Sequence, residues 1–155
     1  MAISAKQIKE LREETGARVM DCKKALEKVD GDMDKAKKIV KEQGMARAEK
    51  AAQEREVTEG YIASYVHQNN KVASMVEVLC ETDFVARNEE FTSMAKDIAM
   101  QVVAMNPEDT DDLLKQDFIK DPSITVEELI KTVSGKIGER FEVSRFERFE
   151  VGETL

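Results

Sequence analysis

The spacing of apolar residues changes twice along this chain, and that change limits the fold more than any other feature. Up to about residue 44 they recur every three to four positions. From Gly60 to Cys80 Val, Ile and Tyr are enriched and the period falls to two, and from Asn88 the helical spacing returns. A sequence with that order reads as α+β, helices first and then an antiparallel sheet with helices on it. At 155 residues the chain has room for one ordinary domain or two small ones.

The first segment contains three helices. Ser4 and Gln7 have the spacing of a capping box, with Ile3 and Ile8 placed as a hydrophobic staple, so a helix starts at Ala5. It turns Ile8 and Leu11 inward and ends at Thr15-Gly16, where glycine can take the left-handed conformation. Cys22, Ala25, Leu26 and Val29 form the stripe of a second helix, broken at Asp30-Gly31. Asp32 caps a third, which buries Met33, Ala36 and Val40 and is expected to stop at Gly44. Residues 1–44 thus make a three-helix bundle, too small to enclose a substrate and suited to docking on a protein. The Ala/Glu/Arg/Lys stretch from Met45 to Glu56 reads as a solvated helical connector.

Residues 57–155 read as β-β-α-α-β. Gly60–His67 and Val72–Cys80 flank the turn Gln68-Asn69-Asn70-Lys71 as an antiparallel hairpin. Phe91, Met94, Ala95, Ile98, Val102 and Met105 give a long helix one apolar stripe, ended by Asn106-Pro107. An acidic loop follows. Thr125 and Glu128 then supply a second capping box with Ile124 and Leu129 as staple, and Ile130, Val133 and Ile137 turn inward before Gly138. In the last strand strict alternation puts Phe141, Val143, Phe149 and Val151 on one side and Phe146 on the other.

Charge divides at the same place. Residues 1–56 carry 14 basic and 12 acidic groups, residues 57–155 carry 10 and 20, and the whole chain has a net charge of -8. That balance argues against the broad basic footprint of a nucleic-acid binder and favours a protein partner. No apolar run approaches the roughly 18 residues of a membrane span, and the first ten residues lack the apolar stretch of a secretory signal. A cytoplasmic protein without a membrane partner is expected. Cys22 and Cys80 form no C-x-x-C pair, and each sits where a buried, inert thiol is usual. His67 flanks a turn with no second histidine, and Asp109, Asp111 and Asp112 lack the spacing of a calcium loop. No metal, cofactor or catalytic residue is expected.

One stretch stands apart from the fold-building pattern, Cys80 to Asn88 at the junction of the second strand and the long helix. Taken alone it reads as a turn capped by Thr82 and Asp83, with Phe84 and Val85 plugging the core beneath it. Glu81 to Arg87, however, spells ETDFVAR, and Leu11 to Leu26 spells LREETGARVMDCKKAL. Together with Gly44-Met45-Ala46, the hairpin YIASYVHQNNKVASMVEVLCE and the closing RFERFEVGE, these resemble bacterial translation elongation factor Ts in collinear order.

The resemblance implies a guanine nucleotide exchange factor for elongation factor Tu, catalysing no bond change itself. It implies a ubiquitin-associated-like bundle over residues 1–44, a connector over 45–56 and a core domain for exchange and dimerisation over 57–155. In the family the TDFV segment is inserted near the magnesium site of the GTPase. Carried over, Thr82, Asp83, Phe84 and Val85 are the partner-binding residues, with Phe84 as the wedge. The bundle contributes a second contact around Arg12, Arg18, Val19 and Met20. The longest family members carry a second β/α unit, an inserted helical hairpin and a carboxy-terminal helical module, none of which is present here. The chain stops at Leu155 as the short forms do, and those dimerise, so a homodimer is expected, the alternative being a chain cut from a longer one. The competing reading is an adaptor without exchange activity, a peptide-binding bundle on a dimerising α+β unit. Burial of Phe84 would favour it.

Overall fold

The computed structural model describes residues 2–153, so Leu155 lies outside the described residues. Its first half consists of α1 (Ala5–Thr15), α2 (Val19–Lys28) and α3 (Met33–Glu54), followed by strands β1 (Glu59–Val66) and β2 (Val72–Cys80). Then come α4 (Asp83–Ala86), α5 (Glu89–Met105), α6 (Thr110–Lys115), β3 (Asp117–Phe118), β4 (Asp121–Thr125), α7 (Val126–Ile137) and β5 (Glu142–Glu150). The α+β reading holds.

The helix ends follow the local chemistry. Ser4 accepts the Gln7 amide while the Gln7 side chain accepts the Ser4 amide, and Gly16 closes α1 at φ 67°. Thr125 and Glu128 make the same reciprocal pair at the start of α7. Leu11, Cys22, Ala25, Leu26, Ala36 and Val40 are buried together as the core of the bundle. Full burial of a leucine stabilises by about 1.5–3 kcal/mol, so Leu11 and Leu26 are its main anchors.

Gly44 does not end α3. The helix runs 22 residues through it, and the glycine serves packing instead. An ideal Cβ on Gly135 of α7 would stand 2.6 Å from the Gly44 carbonyl oxygen and 2.9 Å from its Cα. The two helices therefore cross backbone to backbone. Within the stretch expected to be a solvated connector Ala48 is buried, Arg47 pairs with Asp21 at 2.8 Å and Glu49 with Lys131 at 3.1 Å, while Ala46, Lys50 and Gln53 are exposed.

The second core lies between a three-stranded antiparallel sheet, order β1-β2-β5, and the helices on its inner face. Val76, Val78 and Cys80 of β2 meet Phe91, Ala95, Ile98 and Val102 of α5, and the Phe91 and Phe141 rings touch edge to face at 4.8 Å. Met105, expected to complete the stripe of α5, is exposed at its end. The acidic loop is also more ordered than expected. Asp109 caps α6 by accepting the Asp112 amide, and buried Gln101 accepts the Ile119 amide and donates to the Asp117 carbonyl, fixing the β3–β4 hairpin on α5.

Alternation in β5 is broken by a bulge. The pairing with β2 shifts between Glu77 and Val78, leaving Ser144 as the extra residue. The Ser144 hydroxyl donates to the Glu77 carboxylate at 2.5 Å, which holds that carboxylate below its ordinary pKa. The extra residue reverses the faces beyond it. Phe146 packs on the same core as Val143, while Phe149 and Val151, expected beside Val143, are exposed.

The glycine crossing is asymmetric, because a Cβ on Gly44 would meet its nearest neighbour, the Gly135 Cα, only at 3.9 Å. Gly44→Ala should therefore raise stability by up to about 1 kcal/mol through helix propensity. Gly135→Ala should give a net loss of about 1–2 kcal/mol, because separating two backbones outweighs the same propensity gain. Urea unfolding midpoints of the two variants check the opposite signs, and a gain in both would contradict the crossing.

Candidate functional site

The junction after β2 turns sharply because Thr82 caps a single helical turn. Its backbone is extended at φ -125°, and its hydroxyl accepts the Val85 amide at 3.3 Å. Asn88 then caps α5 by accepting the Glu90 and Phe91 amides. Two caps six residues apart leave α4 no room to lengthen, so its side chains are divided sharply. Val85 and Ala86 are buried at 5% and 6% exposure, whereas Phe84 is 83% exposed.

That division overturns the reading of Phe84 as a plug of the core. The plug of the core is Val85 alone, and Phe84 stands in solvent at the tip of α4. Asp83 forms an exposed ion pair with Arg87 one turn on, and such pairs contribute at most about 1 kcal/mol. The ion pair shapes the rim of the turn more than it stabilises it.

The base of the turn is held from a distance. The Glu139 carboxylate accepts the amides of Glu81 and Thr82, each at 3.1 Å, and the Thr82 hydroxyl at 2.7 Å. The Glu81 carboxylate accepts the Arg140 amide at 3.0 Å and the Arg55 guanidinium at 3.3 Å, and Arg55 also donates to the Gly138 carbonyl at 2.8 Å. Beneath them the Cys80 thiol donates to the Thr82 carbonyl. Burial, and next the Glu139 charge, push that thiol up to about 11. It stays protonated and unreactive at neutral pH.

In the bundle, Arg12, Arg18, Val19 and Met20 are all exposed, Val19 and Met20 at 46% and 57%. Arg18 borders a cleft of about 390 Å³ between the bundle and α7, lined also by Lys37, Val40, Leu129 and Lys136. None of residues 82–85 lines it. Among the described residues no group of three or more His, Cys, Asp or Glu side chains is arranged to hold a metal. No described helix is long and apolar enough to cross a membrane.

The sequence profile described as Elongation factor TS matches residues 81–155, beginning at the turn itself. The elongation factor Ts of Finegoldia magna is 41% identical over 99% of this chain and 91% of its own length. The chain belongs to the elongation factor Ts family. The elongation factor Ts of Thermodesulfovibrio yellowstonii is 42% identical over 99% of this chain and 98% of its own, and the chloroplastic one of Guillardia theta is 41% identical over 99% and 90%. The Finegoldia magna alignment runs over 206 positions against 155 residues here, so about fifty residues of that elongation factor Ts within the aligned span have no counterpart in this chain.

Membership of the elongation factor Ts family gives the chain a role in translation elongation. Of the residues at its exposed turn, sequence reasoning named Thr82 to Val85 and missed Glu139, Arg55 and Arg140. Nothing local marks these three. They lie 57 or 58, 26 and 59 residues from the groups they hold.

The two neighbouring apolar residues should respond oppositely to truncation. Phe84→Ala should change stability by no more than about 0.5 kcal/mol, as at other surface sites. Val85→Ala should cost about 1–3 kcal/mol through the cavity it leaves. Thermal or urea unfolding of the two variants distinguishes them, and a large loss in Phe84→Ala would place that ring in the core after all.

Proposed function

We propose that this chain is a guanine nucleotide exchange factor that binds elongation factor Tu with GDP, disturbs its magnesium and phosphate site, and releases GDP so that GTP can enter. The observation that carries this reading is the 83% exposure of Phe84, directly before the buried Val85 and Ala86. A large aromatic ring held in water forgoes the stabilisation of burial until a partner covers it, and an exposed anchor of this kind is what a binding hot spot requires. A buried Phe84 would have supported the adaptor reading.

The mechanism needs only small displacements. Magnesium in such GTPases bridges phosphate and protein oxygens and demands near-ideal octahedral geometry, so a ring parting two partner helices weakens nucleotide binding by moving its ligands. Thr82 and Asp83 supply polar contacts at the approach, and Val85 anchors the turn from below. No bond is made or broken by the chain itself. A factor that binds the nucleotide-free GTPase more tightly than the loaded one weakens nucleotide by the same ratio, about tenfold per 1.4 kcal/mol. One ring does not supply many such increments, so the bundle adds a second contact through Arg12, Arg18, Val19 and Met20. The site of action is the cytoplasm, with no membrane or nucleic-acid partner.

The chain is further proposed to act as a homodimer. Ile62, Val66, Met75, Phe149 and Val151 are exposed at 52% to 71%, and the pairing of Val66 with Ala73 and Ala73 with Phe149 puts them on the outer face of the sheet. A self-complementary apolar face of this kind fits a two-fold interface. Phe149→Glu should convert the dimer to monomer in sedimentation velocity, and a wild-type chain that stays monomeric at tens of micromolar would overturn the pairing.

Stopped-flow release of a fluorescent GDP analogue from elongation factor Tu at fixed magnesium tests the exchange reading. Wild type should accelerate release strongly, and Phe84→Ala should lose at least tenfold of that acceleration while remaining folded. Binding without acceleration, or full activity in Phe84→Ala, would contradict it.

A further inference from the structure

A single helical turn is not stable by itself, because its few hydrogen bonds do not offset the dihedral angles they fix. The four residues of α4 therefore need an outside hold if Phe84 is to leave the surface in one direction. Glu139 provides it. Three donors converge on that one carboxylate, the Glu81 amide at 3.1 Å, the Thr82 amide at 3.1 Å and the Thr82 hydroxyl at 2.7 Å. Hydrogen bonds to an ionised acceptor are roughly twice as strong as neutral ones.

The Thr82 hydroxyl explains why this matters for the turn. A hydroxyl has one proton to donate and lone pairs to accept with. Its proton goes to Glu139, which leaves a lone pair aimed at the Val85 amide, the capping bond of α4. Glu139 thus sets the cap as well as the backbone before it. Glu81 returns the hold by accepting the Arg140 amide, and Arg55, one residue beyond α3, bridges Glu81 to the Gly138 carbonyl. The end of α7, the end of α3 and the start of α4 are thereby tied at one point.

We propose that Glu139 is the positioning residue of the exchange site, a latch that fixes the direction of Phe84 before the partner is met. The assignment rests on the exchange function proposed above. Without the latch, the turn must be ordered during the exchange step itself. The loss then falls on the maximal rate of GDP release more than on the concentration of factor that half-saturates it, because the rest of the binding surface is unchanged.

The test compares wild type, Phe84→Ala, Glu139→Ala and Glu139→Gln by stopped-flow release of the GDP analogue at varied factor concentration. Amide hydrogen exchange of each free protein is followed alongside. Glu139→Ala should lower the maximal rate about tenfold, with half-saturation changed less than threefold. Its Glu81 and Thr82 amides should lose protection while those of Val76 and Val78 keep theirs. Glu139→Gln, whose amide oxygen can still accept both backbone amides, should recover part of both effects and stands in if the alanine variant fails to fold. If Phe84→Ala loses activity but Glu139→Ala keeps the full maximal rate, the latch is overturned alone. A loss in Glu139→Ala seen only as weaker half-saturation overturns it too. If Phe84→Ala is as active as wild type, the wedge reading falls and takes the latch with it.

Discussion

Helices α3 and α7 meet at Gly44 and Gly135 with no side chain between them, and this contact ties the two halves of the molecule together. Among the described residues the bundle core and the sheet core have no member in common. What joins them is α3, which belongs to the bundle at one end and crosses α7 further on. A methyl group on α7 at this point would force the helices apart, and both ends of the crossing would move. One end carries the bundle with its exposed Val19 and Met20. The other runs on to Gly138 and Glu139, the residues that grip the turn beneath Phe84.

The turn itself shows how an exposed aromatic can be kept in place. Phe84 gains nothing from the core, so its direction depends on the backbone that carries it. That backbone is fixed by Val85 and Ala86 below, by the Thr82 cap within, and by the Glu139 carboxylate from across the fold. On the proposed exchange reading, this arrangement separates stability from function. The buried Val85 and Ala86 stabilise the fold, while the exposed ring is left to contribute its area to a partner.

Much of this was legible from local signals. The capping boxes at Ser4 and Thr125, the left-handed Gly16, the helix end at Gly138, the hairpin around Asn69-Asn70 and the stripe of α5 from Phe91 to Val102 depend on residues within a few positions of one another, and they stand as read. The failures share a different cause. Gly44 looks like a helix stop because its partner, Gly135, is ninety-one positions away in sequence. The faces of Phe149 and Val151 were inverted because one extra residue at Ser144 cannot be seen in an alternating pattern without the partner strand. The β3–β4 hairpin depends on buried Gln101 rather than on its own short strands. At the site, the motif drew attention to Thr82 through Val85, but only the fold separates the exposed Phe84 from the buried Val85 or brings Glu139 beneath them.

On the proposed exchange reading, the Phe84 ring waits in water until the partner covers it. Incorporating 4-fluorophenylalanine at position 84 and comparing its fluorine resonance in H2O and D2O measures this directly. A full solvent-isotope shift is expected in the free chain, lost when nucleotide-free elongation factor Tu is added to saturation. A ring without that shift in the free chain, or one that keeps it in the complex, would overturn the wedge.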